Sequence, residues 1–489
     1  MKDDMKVRRN IKKQLTKIVF LIFSIIIATG CSEHPLPIPD PHKQKVPPLT
    51  RKVNAFIESA MNDIYLWYKE VPNIDIRYER DPKAYFNKLL YEEDKWSYIT
   101  DDIDALEKSF EGVETTYGYS LTFGRFKNTG GIFAIVEYVY PDTPASEAGL
   151  ERGNIIVLMN NADISDENYT DLLYAESLNI TLGILGEGGI SVDPNSTVSM
   201  TAREMNLDPV FITDVLEHGG HKIGYLFYAQ YIENFNPRLN EAFQYFKNEQ
   251  ITDLVIDLRY NLGGGTAAAS YLCSLVAPLN VVNEEETLVT LQWNDKYQQH
   301  WESINDTRNL KITFTKNPTA KLGLNKLHIL TGASTASASE LTITGLRPYM
   351  EVITVGEKTY GKYTGSITLK PEYFYKDSAY YEDFDNWGIQ PIVLKYANSL
   401  GETDFKNGFS PDIPVEDDLF SGIPLGNMQD PLLKAAVEDI TGAEIIAIKK
   451  ASMTIPYTIF DRGFSKFDAN KREVLFEQAD TGNLVKEKK

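Results

Sequence analysis

From about residue 206 onward, short apolar runs of strand type alternate with segments patterned as helices, and no other feature constrains the fold as strongly. Ile223–Phe227, Leu254–Leu258, Leu327–Leu330 and Val352–Val355 are strand-like. Leu239–Phe246, Ala267–Leu275 and Ser339–Leu346 carry apolar residues at helical spacing. Parallel strands cannot be joined by a tight hairpin; they need a longer crossover, usually a helix. The rhythm therefore predicts an α/β domain over 206–450, made of βαβ units around a mostly parallel sheet. Asp295–Lys321 is a polar insertion that fits no element of the pattern, and Asp430–Ile440 predicts one more helix.

Upstream, apolar residues recur at helical spacing in Val53–Glu70 (Phe56, Ala60, Ile64, Trp67) and Pro82–Tyr91 (Tyr85, Leu89), which predicts a small helical domain over 51–110. Between 112 and 205 the pattern changes to short strands, Tyr117–Phe123, Ile132–Val139 and Ile155–Met159, with the turn-rich stretch Pro141–Gly153 between the last two. At the amino end, Lys6, Arg8, Arg9, Lys12, Lys13 and Lys17 precede the apolar run Ile18–Ala28. That is the layout of a signal peptide over 1–30, and the run is short for a membrane span. Cys31 follows Ala28-Thr29-Gly30, which resembles the lipobox of bacterial lipoproteins and implies cleavage before Cys31 and lipid on its thiol. Prolines 35, 37, 39, 41, 47 and 48 mark 31–50 as an extended tether. Residues 451–489 read as a C-terminal tail, polar after Asp461 and expected to fray.

Composition narrows the partners. The net charge is -20 and the leader is itself basic, so the body is strongly acidic and repels phosphate backbones. Nucleic acid is excluded as a partner on that ground. Cys31 and Cys273 are the only cysteines, so no disulfide framework holds the fold. Cys273 lies in the apolar run Ala267–Val276 and reads as a small buried hydrophobe.

Chemistry concentrates in three segments. Ser337 lies between a strand and a helix in Thr335-Ala-Ser-Ala-Ser-Glu340, where free N–H groups at a helix start favour negative charge. The Ala338 N–H is placed to donate to a tetrahedral oxyanion. Lys362 follows Gly361 after the buried-strand pattern Glu351–Gly356, with Ile367 and Leu369 as apolar walls. A lysine serves as a base only when neutral, and burial must lower its ordinary pKa of ~10.4 by roughly two or three units for that. Asp257-Leu-Arg-Tyr-Asn-Leu-Gly-Gly-Gly265 follows a strand, and its glycines let backbone N–H groups approach a substrate. Asp257 and Arg259 read as a structural pair bracing that loop, and Glu340 as a first-turn acid favouring the helix dipole. No histidine follows Ser337, so a histidine triad is not supported; His218-Gly-Gly-His221 reads as a turn before a strand and not as a metal site.

These segments, in this order, resemble the C-terminal processing (tail-specific) protease family. The resemblance covers about Tyr117 to Pro414. It implies that Ser337 is the nucleophile and Lys362 the base, with Ala338 and either Gly263 or Gly264 forming the oxyanion hole. It implies a stacked crotonase-like or ClpP-like arrangement of the βαβ core. The 112–205 unit resembles a PDZ domain, whose peptide-carboxylate loop would be Tyr117, Gly118, Tyr119, Ser120 and Leu121. Many members carry a glutamine four residues after the lysine; here Ser366 stands there, leaving Ser366 or Thr364 to orient the amine. The implied partners are proteins or peptides with free C-terminal tails, with no metal or other cofactor. The implied location is the bacterial cell envelope, lipid-anchored and facing periplasm or exterior. A non-catalytic peptide-binding surface lipoprotein and a crotonase-type acyl-CoA enzyme stay as alternatives. The latter leaves Lys362 and the PDZ-like unit without roles.

Overall fold

The computed structural model describes residues 45–173, 175–186, 189–446 and 457–461. Cys31, the 1–30 leader and most of the proline-rich tether lie outside the described residues. Pro48, counted with the tether, is the first residue of helix α1 (Pro48–Asp63), where a missing N–H costs nothing. The apolar stripe of α1 buries Phe56, Ile57, Ala60 and Met61. Helices α2 (Pro82–Leu89) and α3 (Ile103–Phe110) start on Asp81 and Asp102, whose carboxylates accept first-turn N–H groups. The stripes of α1 and α2 merge with the core of the α/β domain, so these helices are part of its wall.

The unit over 112–205 is an antiparallel sheet. It contains β1 (Tyr119–Phe126), β2 (Ile132–Val139), β3 (Ile155–Met159), α4 (Tyr169–Leu173), β4 (Ser177–Gly186) and β5 (Gly189–Thr201). The strands lie side by side in chain order. Alternate residues of β2 face opposite ways: Ala134 and Val136 into the sheet's own core, Phe133 and Ile135 into a core shared with the α/β domain.

The α/β domain runs through β6 (Val210–His218), β7 (His221–Tyr228), α5 (Asn236–Glu249), β8 (Asp253–Asp257), α6 (Thr266–Val276), β9 (Lys326–Thr331), α7 (Ala338–Leu346), β10 (Glu351–Gly356), β11 (Ile413–Pro414) and α8 (Pro431–Thr441). The six strands lie in chain order; β6 and β7 form a hairpin and every later pairing is parallel. Gly219 and Gly220, both at positive φ, make the hairpin turn between paired His218 and His221. Leu226, Tyr228, Leu254 and Ile256 face one core, while Tyr225, Phe227 and Val255 face α8 and the β1–β5 unit. Burial on both faces explains why these strands read as continuous apolar runs.

The polar insertion finds its place in a second sheet, antiparallel and four-stranded, in the order Lys311–Thr313, Thr287–Trp293, Ile392–Asn398, Thr364–Ser366. Its helix Asp295–Ser303 exposes polar residues but turns Tyr297 and Trp301 fully inward. Two large aromatics anchored it where an averaged pattern showed only polarity. Helix α7 packs against α6 and against the two long strands of this sheet, and every residue of α7 is buried. Finally, β12 (Tyr457–Asp461), from the stretch read as a tail, pairs antiparallel with β1.

Candidate active site

Between β9 and α7 the chain makes a sharp turn, with Ser337 at its apex as the residue preceding the helix. Ser337 has φ 52° and ψ −111°, a conformation that costs a non-glycine residue about 1–3 kcal/mol and survives only where its surroundings impose it. Those surroundings are specific. The Ala336 N–H donates to the Asn261 carbonyl at 3.1 Å, and the Tyr360 N–H to the Thr335 carbonyl at 2.9 Å. The Thr335 hydroxyl donates to the Leu258 carbonyl at 2.8 Å. Gly263 presses on the turn so closely that a Cβ there would lie 2.8 Å from the Ala336 oxygen and 2.9 Å from the Ser337 Cβ. Ser337 is 1% exposed, and its hydroxyl takes no hydrogen bond among the described residues.

The glycine segment is fixed by Asn261. Its amide Nδ2 donates to the Tyr228 carbonyl and its Oδ1 accepts the Gly263 N–H, both at 2.8 Å. Tyr231 bridges the loop, donating its N–H to Gly263 and accepting that of Gly265. Gly263 therefore has its N–H committed, whereas those of Gly264 and Ala338 take no hydrogen bond among the described residues.

Lys362 is 1% exposed. The φ of 98° at the preceding Gly361 and its tight packing on Lys406 and Gly408 leave no room for a side chain at that step. One carboxylate oxygen of Glu340 accepts the N–H of Ser337 at 3.1 Å and that of Lys362 at 2.7 Å. The other accepts the Gly361 N–H at 2.7 Å and the Thr359 hydroxyl at 2.6 Å. The Tyr396 hydroxyl lies 3.1 Å from the Ser337 carbonyl oxygen and 2.9 Å from that of Lys362. Two side chains thus tie the serine turn to the lysine loop. Burial pushes the Glu340 carboxyl up to about 7, against four donors that each pull it down. Glu340 is fully buried and stands in the first turn of α7, as its position suggested, and the same carboxylate also bridges to the lysine loop.

The two hydroxyls expected to orient the lysine differ. Thr364 Oγ1 is buried and takes no hydrogen bond among the described residues. Ser366 is turned to Gln390, donating to its Oε1 at 3.3 Å, while the Gln390 amide donates to Thr368 at 2.7 Å. Gln390 and Tyr396 arrive from distant strands, and nothing in the local sequence marks either.

Asp257 and Arg259 form the expected structural pair and extend it. Arg259 makes paired bonds to Asp257 and to Asp430, and reaches Asp417 at 3.2 Å. Arg152, from the β1–β5 unit, joins at Asp417 and donates to the Tyr260 hydroxyl. Cys273 is fully buried and burial pushes its thiol up to about 12, as a core residue should show. His328, on β9, pairs with Asp439 of α8, and His221, on β7, pairs with Asp253.

In the Tyr117–Leu121 loop, the Gly118 N–H donates to Thr116, the Ser120 hydroxyl donates to buried Glu137, and the Tyr117 and Tyr119 rings stack at 5.6 Å. A cavity of about 410 Å³ runs from Tyr117, Tyr119 and Ser120 to Leu262, Gly263 and Gly264, so the structure brings this loop and the glycine segment onto one space.

Two family models match the chain: the peptidase S41 N-terminal domain over residues 52–98, and peptidase family S41 over 222–415. A carboxyl-terminal-processing protease of Synechocystis is 26% identical over 315 residues, covering 64% of this chain and 66% of that protein. Carboxy-terminal processing protease CtpB of Bacillus subtilis is 26% identical over 355 residues, covering 70% of this chain and 63% of that protein. The chain therefore spans about two thirds or less of the length of these curated relatives. Among solved structures, a Bacteroides fragilis protein assigned to the S41 proteases superposes with a TM-score of 0.64 at 28% identity, covering 79% of this chain and 97% of that one.

Proposed function

We propose that the chain is a serine endopeptidase of the S41 type, acting on proteins or peptides recognised through their C-terminal tails, as the two matching S41 family models support. The observation that carries the reading is the shared Glu340 oxygen, which holds the backbones of Ser337 and Lys362 beside each other in a water-poor pocket.

In this mechanism the Ser337 Oγ attacks the scissile carbonyl carbon while the uncharged Lys362 amine takes its proton. The carbonyl oxygen becomes an oxyanion that accepts from the N–H groups of Ala338 and Gly264. Collapse breaks the C–N bond, Lys362 protonates the leaving amine, and an acyl ester remains on Ser337. Lys362 then takes a proton from water, hydroxide adds to the ester, and the carboxylic product leaves as Ser337 regains its proton. The mechanism requires the Ser337 Oγ, which makes no hydrogen bond among the described residues, to come within reach of the Lys362 Nζ when substrate binds; catalytic hydrogen bonds often tighten only then. Thr364 and Ser366 are the hydroxyls proposed to orient the amine, with Ser366 held by Gln390.

The β1–β5 unit is read as a PDZ-like domain and the α/β core as a crotonase-like or ClpP-like stack. The cavity joining the Tyr117–Leu121 loop to Gly264 supports delivery of a bound tail to the serine turn. The basic and apolar leader with Cys31 supports a lipid-anchored protein of the bacterial cell envelope, facing periplasm or exterior. The test is labelling and turnover together. A fluorophosphonate should label the wild type and not Ser337→Ala, and cleavage of a tailed protein substrate should vanish in Ser337→Ala and Lys362→Ala while resisting EDTA. Labelling that persists in Ser337→Ala, or loss of cleavage with EDTA, ends this reading.

A further inference from the structure

Strand β1 would be the edge of its sheet were it not for β12, and an open edge presents a row of unpaired N–H and C=O groups that takes up any extended chain. β12 runs antiparallel to β1, with Tyr457 opposite Phe126, Thr458 opposite Arg125, Ile459 opposite Gly124 and Asp461 opposite Phe123. Its direction leads toward the Tyr117–Leu121 loop, as a tail peptide must run for its carboxylate to reach that loop. The side chains are seated as a ligand's would be. Phe460 lies between β1 and α4, its ring 6.4 Å from Phe123 and 5.9 Å from Tyr169, with the Arg125 guanidinium 4.9 Å over it. Tyr457 points the other way, onto Phe133 at 6.0 Å and onto Phe420 of the α/β domain at 5.2 Å. Phe460 and Tyr457 remain partly exposed, so the strand is held less firmly than the core it covers.

We propose that β12 is the chain's own competitor for the β1–α4 groove on which the tail-presenting reading seats a peptide, with Phe460 in the place of the peptide's aromatic side chain. An incoming tail must displace β12, and its apparent affinity is reduced by the fraction of molecules in which the groove is vacant. Because Tyr457 also rests on Phe420, displacement removes a contact between the β1–β5 unit and the α/β domain, whose neighbouring Asp417 is bonded to Arg152 and Arg259. The inference rests on the tail-presenting reading of the β1–β5 unit, but its test does not rest on catalysis.

The probe is a fluorescein-labelled peptide, Tyr-Thr-Ile-Phe-Asp-Arg-Gly-Phe with a free carboxylate, which is long enough in this register to reach the Tyr119–Leu121 end of β1. Binding is measured by anisotropy on the full chain carrying Ser337→Ala, so it reads the groove whether or not the protein is a peptidase. Adding Phe460→Ala should tighten binding about tenfold by vacating the groove, and adding Tyr169→Ala should weaken it. If Phe460→Ala folds poorly, a second arm decides: Thr458→Cys with Arg125→Cys, directly opposite in register, should abolish peptide binding when oxidised and recover it on reduction. Equal affinity in wild-type and Phe460→Ala chains, or binding indifferent to the cross-link, overturns the proposal.

Discussion

The α/β domain holds two buried acidic clusters, and they are stabilised by different physics. In one, Asp257, Asp417 and Asp430 face Arg152 and Arg259, so ionic charge meets ionic charge in paired geometry. In the other, Glu340 is held by three peptide N–H groups and one hydroxyl, all uncharged. The first fixes how the glycine segment, α8 and the β1–β5 unit meet. The second fixes how the serine and the lysine meet. Burial pushes both Glu340 and Asp257 up, but at Asp257 the Arg259 guanidinium opposes that push, whereas at Glu340 only uncharged donors do. The difference places ionic pairing in one cluster and dipolar stabilisation in the other.

The contrast can be broken in several ways. The largest effect should fall on the pair that Glu340 brings together: Ser337→Ala or Lys362→Ala is expected to lower peptidase turnover by roughly 10⁴-fold or more, with the urea midpoint nearly unchanged. Arg259→Met strands two buried aspartates and should cost about 3–5 kcal/mol of stability in urea unfolding; a loss under about 1 kcal/mol would show that the ionic cluster is not structural. Glu340→Gln keeps one acceptor oxygen but turns an amide NH2 toward at least one of the three peptide N–H groups that the carboxylate accepts. It should reduce kcat about 10²-fold with little change in KM, since the pair is displaced but the binding surface is intact; a change in KM alone would remove Glu340 from the positioning role.

The pH dependence of stability is a finer probe of the same cluster. The folded carboxyl of Glu340 sits at about 7, above its ordinary 4.5. Its contribution to stability is therefore fully present below 4.5 and lost as pH rises through about 7. Burial lowers the pKa of His328, which acts in the opposite sense, losing stability as pH falls. The difference between wild type and Glu340→Gln separates the two: wild type should lose up to about 3 kcal/mol relative to the variant between pH 5 and 8. The smallest effect is at Cys273. With its thiol pushed up to about 12 it should resist iodoacetamide in the folded chain and be modified only after unfolding.

Strand and helix alternation was legible because both faces of β7, β8 and β9 are buried, which leaves runs of apolar residues that polar turns interrupt. Ser337, Lys362 and the glycine segment were legible because each sits at a strand end, where short motifs carry geometry. Asp295–Lys321 was not, because only Tyr297 and Trp301 anchor its helix. Nor were the Tyr396 hydroxyl, which spans the serine turn and the lysine loop, and the Gln390 amide, which holds Ser366, because both come from strands distant in sequence. The strand Tyr457–Asp461 was counted with the C-terminal tail, since five residues pairing with an edge leave no periodic signature.

Local order along the chain settled which segments become strands and helices, where the candidate serine, lysine and glycine segments stand, and the acidic charge of the whole. Those follow from period and residue type, properties of neighbours in sequence. Which glycine N–H stays available, that Glu340 joins two loops, and that the chain lays its own strand along β1 were settled only by the tertiary structure. Each depends on hydrogen-bond partners brought from far along the chain, and the fold alone decides which donors and acceptors meet.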